Sequence, residues 1–321
     1  MDYKDIVRVN KNVKEKLITK KSDLLVCARN GSARLIGKNA ILHDADANQT
    51  FGAFMMVFRS DKNHFVHQLL NTRRYSSQVS ENLGARINQI TSSDLSSFEF
   101  FFPTENSEMN KIAALLDLLD ERIATQNKII EDLKKLKSAI SKKLLCNDKW
   151  TTYKIQDIAE IGRGRVISSV EIDRQKHPLY PVYSSQTSNN GIMGYLDNYM
   201  FDGEYITWTT DGANAGTVFY RKGKFNCTNV CGTLKILPKF DCYFVSLVLQ
   251  QATQKYVSSN LANPKLMNNT MASIKIRMPN IETQKQLSKV FQTLDSCLLV
   301  HQRTCKMYLS EKQYLLRQMF I

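Results

Sequence analysis

The sequence predicts an α+β chain in which two globular segments alternate with two long helices, and the helices pair as an antiparallel coiled coil within a pseudo-two-fold internal repeat. Three observations predict this. First, Ile112, Leu116, Leu119, Ile123, Gln126, Ile130, Leu133, Lys137, Ile140 and Leu144 follow one another in unbroken steps of four and three. That is a heptad seam on a helix over 104–145, about 60 Å long at 1.5 Å per residue. Second, Leu287, Phe291, Leu294, Leu298, His301, Cys305, Tyr308, Lys312, Leu315 and Met319 repeat the steps, each 175 residues after its counterpart (287 against 112, 319 against 144). The polar interruptions coincide, Gln126 with His301 and Lys137 with Lys312. Third, the segments before the helices share blocks. Asp23 to Gly31 matches Glu204 to Gly212, and Phe98-x-Phe-x-Phe-Pro103 matches Ile274-x-Ile-x-Met-Pro279. Such self-similarity marks a duplication. Parallel pairing would set Lys137 against Lys312 inside the seam, so the antiparallel arrangement is expected, with the globular segments at opposite ends.

The expected organisation is therefore 1-103 globular, 104-146 helix, 147-279 globular and 280-321 helix. In chain order, Asp23 to Arg29 reads as a buried strand and Asn30-Gly31-Ser32 as a turn. Ala40 to Leu42 and Ala53 to Phe58 are further strands, and His64 to Tyr75 a helix. Phe98, Phe100 and Phe102 alternate as a half-buried strand, with Pro103 ending it and Thr104 capping the helix. In the second half, Ile155, Ile158 and Ile161 suggest a short helix ending at Gly162. Tyr180 to Gln186 opens a polar loop, Thr187 to Gly194. A strand ending at Trp208 runs into Thr209 to Gly216, and Arg221-Lys222-Gly223-Lys224 reads as a basic hairpin turn. Tyr243 to Tyr256 looks helical, Ile274 to Met278 is a strand, and Pro279-Asn280 starts the last helix. Trp208 is expected in the core.

Composition narrows the function. The 321 residues are 43% hydrophobic, with 44 basic and 30 acidic side chains and a net charge of +14. The two globular segments carry a net +5 each, 15 basic against 10 acidic. That balance suits a polyanion such as DNA or RNA. No run of about 18 apolar residues suggests a membrane span. The charged N-terminus lacks a secretory core, and seven scattered cysteines without a C-x-x-C pair suit a reducing, cytoplasmic compartment. No zinc-like spacing and hence no metal site is expected. There is no G-x-G-x-x-G and no Gly-Lys-Ser/Thr. Asn263-Pro264-Lys265 fails the Asn/Asp-Pro-Pro-aromatic loop of an adenine methyltransferase at its third position.

The duplicated strand-turns SDLLVCARNGS and GEYITWTTDGA, and the strand ending in proline before each long helix, resemble the specificity subunit of type I restriction–modification systems over essentially the whole chain. Pro279 to Gln284 is similar to that family's proline-to-glutamine helix start, whereas the first copy has Glu108 in place of Gln284. Aligned through Gly31 and Gly212, residue 1 falls near residue 182, so the first target-recognition domain is expected to be N-terminally shortened. The resemblance implies a non-catalytic subunit reading a bipartite double-stranded DNA target, one half-site per globular domain, with the helix pair fixing the spacer. It implies two methyltransferase subunits docked on the chain and restriction subunits joining them. No cofactor is expected on this chain itself: S-adenosylmethionine belongs to the methyltransferase, ATP and magnesium to the restriction subunit. Alternatives are a shortened variant reading one half-site, a decoy or regulatory form, or a single-chain DNA methyltransferase or nuclease.

Sequence readout needs donors and acceptors on loops and cations for phosphates. In the second domain the polar candidates are Ser185, Gln186, Asn189, Asn190, Thr210, Asp211 and Asn214. The phosphate candidates are Arg163, Arg165, Arg221, Lys222 and Lys224. In the first domain they are Arg29, Asn30, Ser32, Arg34 and Lys38.

Overall fold

The computed structural model describes residues 7–83, 89–145, 147–258 and 263–320. The expected span limits at residue 1, Cys146 and Ile321 lie outside the described residues. The chain forms two compact units, Met1–Ile130 with Val300–Ile321, and Glu131–Leu299. In order, the elements are β1 (Leu24–Cys27), β2 (Asn39–Ile41), β3 (Met55–Phe58), α1 (Asn63–Leu69), α2 (Arg73–Leu83), α3 (Ser92–Ser96) and the long α4 (Asn106–Leu144). Then come β4 (Thr151–Lys154), β5 (Ala159–Arg163), α5 (Ser169–Asp173), β6 (Tyr180–Tyr183) and β7 (Ile192–Leu196). They are followed by β8 (Glu204–Thr209), β9 (Val218–Lys222), β10 (Asn226–Cys227), β11 (Cys231–Ile236), α6 (Cys242–Ala252), α7 (Asn268–Ser273), β12 (Lys275–Met278) and α8 (Ile281–Met319). Among the described residues no helix is long and apolar enough to cross a membrane.

In the first unit β1 lies between β2 and β3, antiparallel to both. Leu24 and Val26 point into a core with Ile36, Val66, Leu70, Tyr75, Val79 and Ile90. The expected single helix over His64 to Tyr75 is two helices. The chain breaks at Leu70 to Thr72, where the Thr72 hydroxyl accepts from Tyr75 N–H at 3.3 Å and so starts α2. Phe98 to Phe102 is not a strand. Phe98 and Phe100 do bury against Tyr75, but among the described residues no strand pairs with this segment. Side chains supply the hydrogen bonds instead: Glu99 N–H donates to Gln78 Oε1 at 2.8 Å, and Gln78 Nε2 and Arg74 Nε donate to Glu99 C=O. Nor does Thr104 cap α4. Its first turn closes on the carbonyl of Glu105.

Asp23 anchors this unit. It is 1% exposed and accepts from Arg59 Nε at 2.7 Å and Nη2 at 2.6 Å and from Lys20 N–H at 2.7 Å. Burial alone would raise its carboxyl pKa, but the Arg59 and Lys20 hydrogen bonds outweigh burial and hold it below the usual aspartate range. A depressed folded pKa gives stability that is present above the unfolded value of about 3.9 and lost as pH falls through the folded pKa. Asp23→Asn is therefore expected to lower the opening free energy of β1 at pH 7 by about 2–3 kcal/mol, less than the roughly 3–5 kcal/mol of a fully buried pair because Arg59 is half-exposed. Amide hydrogen exchange across β1 measures this, and the gap from wild type should close in acid.

In the second unit a four-stranded antiparallel sheet runs β5-β11-β8-β9, with a three-stranded sheet β10-β6-β7 and a β12-β4 pair. β8 has the place that β1 has in the first unit, inner strand with its following strand on one side, as the duplicated strand-turn requires. Trp208 on β8 is fully buried, donates Nε1–H to Leu266 C=O at 2.9 Å, and lies against Gly232, where a Cβ would come within 2.2 Å of the indole. The isoleucines at 155, 158 and 161 do not make a helix. Ile155 and Ile158 bracket a 3₁₀ turn, whose three-residue period produces their spacing, and Ile161 sits in β5. The basic turn is not a hairpin either: β9 pairs with β8, whereas β10 pairs parallel with β6.

The seam holds in each unit by itself. In the first, Leu116, Leu119 and Leu316 bury together with Ile112, Tyr308, Leu315 and Phe320, Lys312 Nζ bonds both oxygens of Asp120 at 2.5 and 2.6 Å, and His301 Nδ1 meets Gln126 Oε1 at 2.7 Å. In the second, Ile140, Leu287, Phe291 and Leu294 join the main core, and Lys137 bonds Asp295. Positions rising along α4 meet positions falling along α8 in both, so the pairing is antiparallel. Every predicted seam residue is buried or half-buried except one: Leu144 is 38% exposed, and Leu145 buries in its place. The helix ends there, and the last turn abandons the heptad for the core of the second unit.

Candidate nucleic-acid interface

In the second unit the ends of β5 and β8 bring several predicted side chains to one edge. Thr210 follows β8 and is fully buried; its hydroxyl donates to Asp211 Oδ2 at 2.6 Å and accepts from Arg163 at 3.1 Å. Arg163 also donates Nε–H to Asn229 C=O at 2.6 Å and pairs with Asp211. Asp211 has a second cation, Lys265, at 3.8 Å. The segment that failed as a methyltransferase loop turns out to be the buttress here: Pro264 C=O accepts from Gly212 N–H and Leu266 N–H donates to Thr210 C=O. Asn229 and Lys265 were not legible as part of this edge, since only long-range pairing places them.

A second loop, 184–191, leaves β6 and returns in β7. Ser184 N–H donates to Gly191 C=O at 2.9 Å, closing it, and Asn189, Asn190 and Gly191 all have left-handed backbone. That conformation favours asparagine and glycine. Asn214 Nδ2 reaches Ser185 C=O at 3.5 Å, so this loop and the 210–216 loop touch. Gln186 spends its amide on Ile192 C=O, whereas Asn189, Asn190 and Asn214 are exposed. The edge thus presents carboxamides beside cations, the chemistry that reads base edges and neutralises phosphates.

The predicted cations divide. Arg165 is held by Glu171 through two hydrogen bonds, which raise the arginine pKa and lower that of the glutamate. Lys222 pairs with Glu204 at 3.1 Å, and Lys224 lies 4.4 Å over the Tyr199 ring, exposed. Arg221 is a correction. It belongs to β9, not to a turn, is 3% exposed, and cannot reach a phosphate, because Tyr183 and Phe219 cover its guanidinium. Thr210 likewise uses its hydroxyl internally and leaves the set of surface donors.

In the first unit, Arg29 lies over the Phe54 ring at 5.6 Å, and Asn30 Oδ1 accepts from Ser32 N–H at 2.9 Å, fixing the predicted turn. Arg34 and Lys38 are exposed and, with Arg73, line a groove of about 660 Å³ floored by Ile36, Tyr75 and Val79, with no carboxylate on its walls among the described residues.

Arg163→Ala should weaken binding to duplex DNA about tenfold and lower the slope of log affinity against log salt by about one, the loss of one phosphate contact. Titrations at several salt concentrations check this, and an unchanged slope would remove Arg163 from the interface.

Residues 147–306 match the family model described as the type I restriction modification DNA specificity domain. Among curated proteins, the chain is 46% identical over 147 residues to a putative type I specificity subunit N-terminus of Mycoplasma pneumoniae, covering 44% of this chain and 76% of that one. It is 37% identical over 203 residues to another putative type I specificity subunit of the same organism, covering 61% and 80%. Among solved structures, the S subunit of a type I restriction–modification system from M. genitalium superposes with a TM-score of 0.73 at 19% identity, over 96% of this chain and 85% of that one, a likeness of fold.

Proposed function

Because the chain belongs to the DNA specificity subunits of type I restriction–modification systems, non-catalytic recognition components, we propose that it reads a bipartite double-stranded DNA target, one half through each unit. The observation that carries this reading is the doubling itself: one seam chemistry and one strand-turn, each used twice. In the second unit the exposed asparagines of the 184–191 and 210–216 loops read base edges, and Arg163 and Lys265 exchange Asp211 for backbone phosphates. In the first, Arg29, Asn30, Ser32, Arg34 and Lys38 do the corresponding work. The paired helices set the spacer between the half-sites. Two methyltransferase subunits dock on the chain and restriction subunits join them, bringing S-adenosylmethionine and ATP with magnesium respectively, in the cytoplasm.

One observation favours a second reading. The described part of the first unit has a single three-stranded sheet, against three sheets in the second. A variant that reads one half-site, or acts as a decoy, would fit that imbalance. Methylome sequencing of a host carrying this chain with its methyltransferase decides: two defined blocks separated by a fixed gap support the bipartite reader, one block supports the variant, and no modified motif defeats both.

A further inference from the structure

Arg221 is a cation deep in the second unit, and among the described residues no carboxylate bonds to it. Its guanidinium carbon lies 3.5 Å from the centre of the Tyr183 ring and 4.4 Å from that of Phe219. Its Nε donates to Thr207 Oγ1 at 3.2 Å, while Nη1 is buried with no hydrogen-bond partner among the described residues. Nη2 faces the other end of the same loop: a Cβ added at Gly191 would sit 3.1 Å from it. Burial lowers its pKa to about 10, which leaves it charged at neutral pH. An apolar side chain of similar volume would fill this space without the desolvation cost of a buried cation. What it would not supply is a flat charged face against Tyr183 and a fixed N–H on Thr207.

Tyr183 and Gly191 are the two feet of the 184–191 loop. Tyr183 is the last residue of β6, pairs with Ile192, and has its ring against Phe225 as well as Arg221. The loop between the feet carries Ser185, Gln186, Asn189 and Asn190. We infer that Arg221 is a positioning residue for sequence readout, one that contacts no DNA but fixes both feet of the 184–191 loop and so sets where Asn189 and Asn190 meet the bases. The inference rests on the proposed reading of DNA by that loop.

The test uses the full chain in complex with its methyltransferase, selecting bound sites from a randomised duplex library. Arg221→Lys keeps the charge but loses the plane. It is expected to blur one half-site, lowering the preference for the selected site over random duplex by about tenfold. Binding to random duplex should stay within about twofold, with an unchanged salt slope. Phe219→Leu, which removes the second ring against the guanidinium and leaves the loop's own residues unchanged, should blur the same half-site and decides the matter should Arg221→Lys not fold. Asn190→Ala with Arg221 intact tests the underlying reading. If Asn190→Ala alters the half-site while the Arg221 and Phe219 variants keep the wild-type consensus, the positioning role is overturned and loop readout stands. If Asn190→Ala changes nothing, loop readout falls and the inference with it. A loss of random-duplex binding in Arg221→Lys would make it a phosphate contact and overturn the positioning role.

Discussion

Leu116→Asp should unfold the first unit's share of the helix pair. Leu116 is fully buried among Ile112, Leu119, Leu315, Leu316 and Phe320. Truncation alone would cost about 2–5 kcal/mol for a buried leucine, and a carboxylate placed there would be buried among apolar side chains, so the expected loss exceeds about 4 kcal/mol. Leu144→Asp is the contrast. Its position continues the same heptad, yet it is exposed at the end of α4, and the change should stay within about 0.5 kcal/mol. Thermal melts of both variants read the difference. Equal melting temperatures for Leu116→Asp and wild type would show that the seam does not hold the unit together.

The second large effect concerns the lysines inside the seam. Lys312 is nearly buried and has Asp120 as its carboxylate, which also accepts from Gln68 Nε2 at 2.9 Å. Lys312→Asp would set two carboxylates side by side with little solvent between them, at a cost of about 3–5 kcal/mol. The double variant Asp120→Lys with Lys312→Asp restores opposite charges and should recover at least about half of that loss, the surplus being a measured coupling energy. Denaturant unfolding of the single and double variants gives the cycle. If the double variant is no better than the sum of its parts, the pair contributes no specific attraction.

The long-period features were legible in the sequence because one face of a helix repeats its chemistry over ten turns, and a slip in so long a pattern would show. Hence both helices, their orientation and the strand-turn repeat could be read. The carboxylates that answer the lysines could not: Asp120 and Asp295 lie beside the seam, not on it, and only the facing helix reveals them. Short patterns failed where a local spacing has two physical causes. Three-residue spacing of isoleucines arises from a 3₁₀ turn as well as from a helix, and alternating phenylalanines bury alternately whether or not a strand is there to pair with them. The candidate edge was legible in the turns of its polar loops, whose left-handed asparagines and glycines are strong local signals. It was not legible in Arg221, since a charge count treats every arginine as exposed, nor in Asn229 and Lys265, which reach the edge through pairing far along the chain.

The two ion pairs, Lys137 with Asp295 and Lys312 with Asp120, are the same pair written twice, because Asp120 and Asp295 are also counterparts 175 residues apart. Gln126 and His301, counterparts as well, bond to each other. Each long helix therefore carries one lysine and one aspartate of the same reciprocal set. Either helix thus offers its partner the same two charges in the same order, so a change at one lysine has a matching counterpart at the other, and each site serves as the control for its twin.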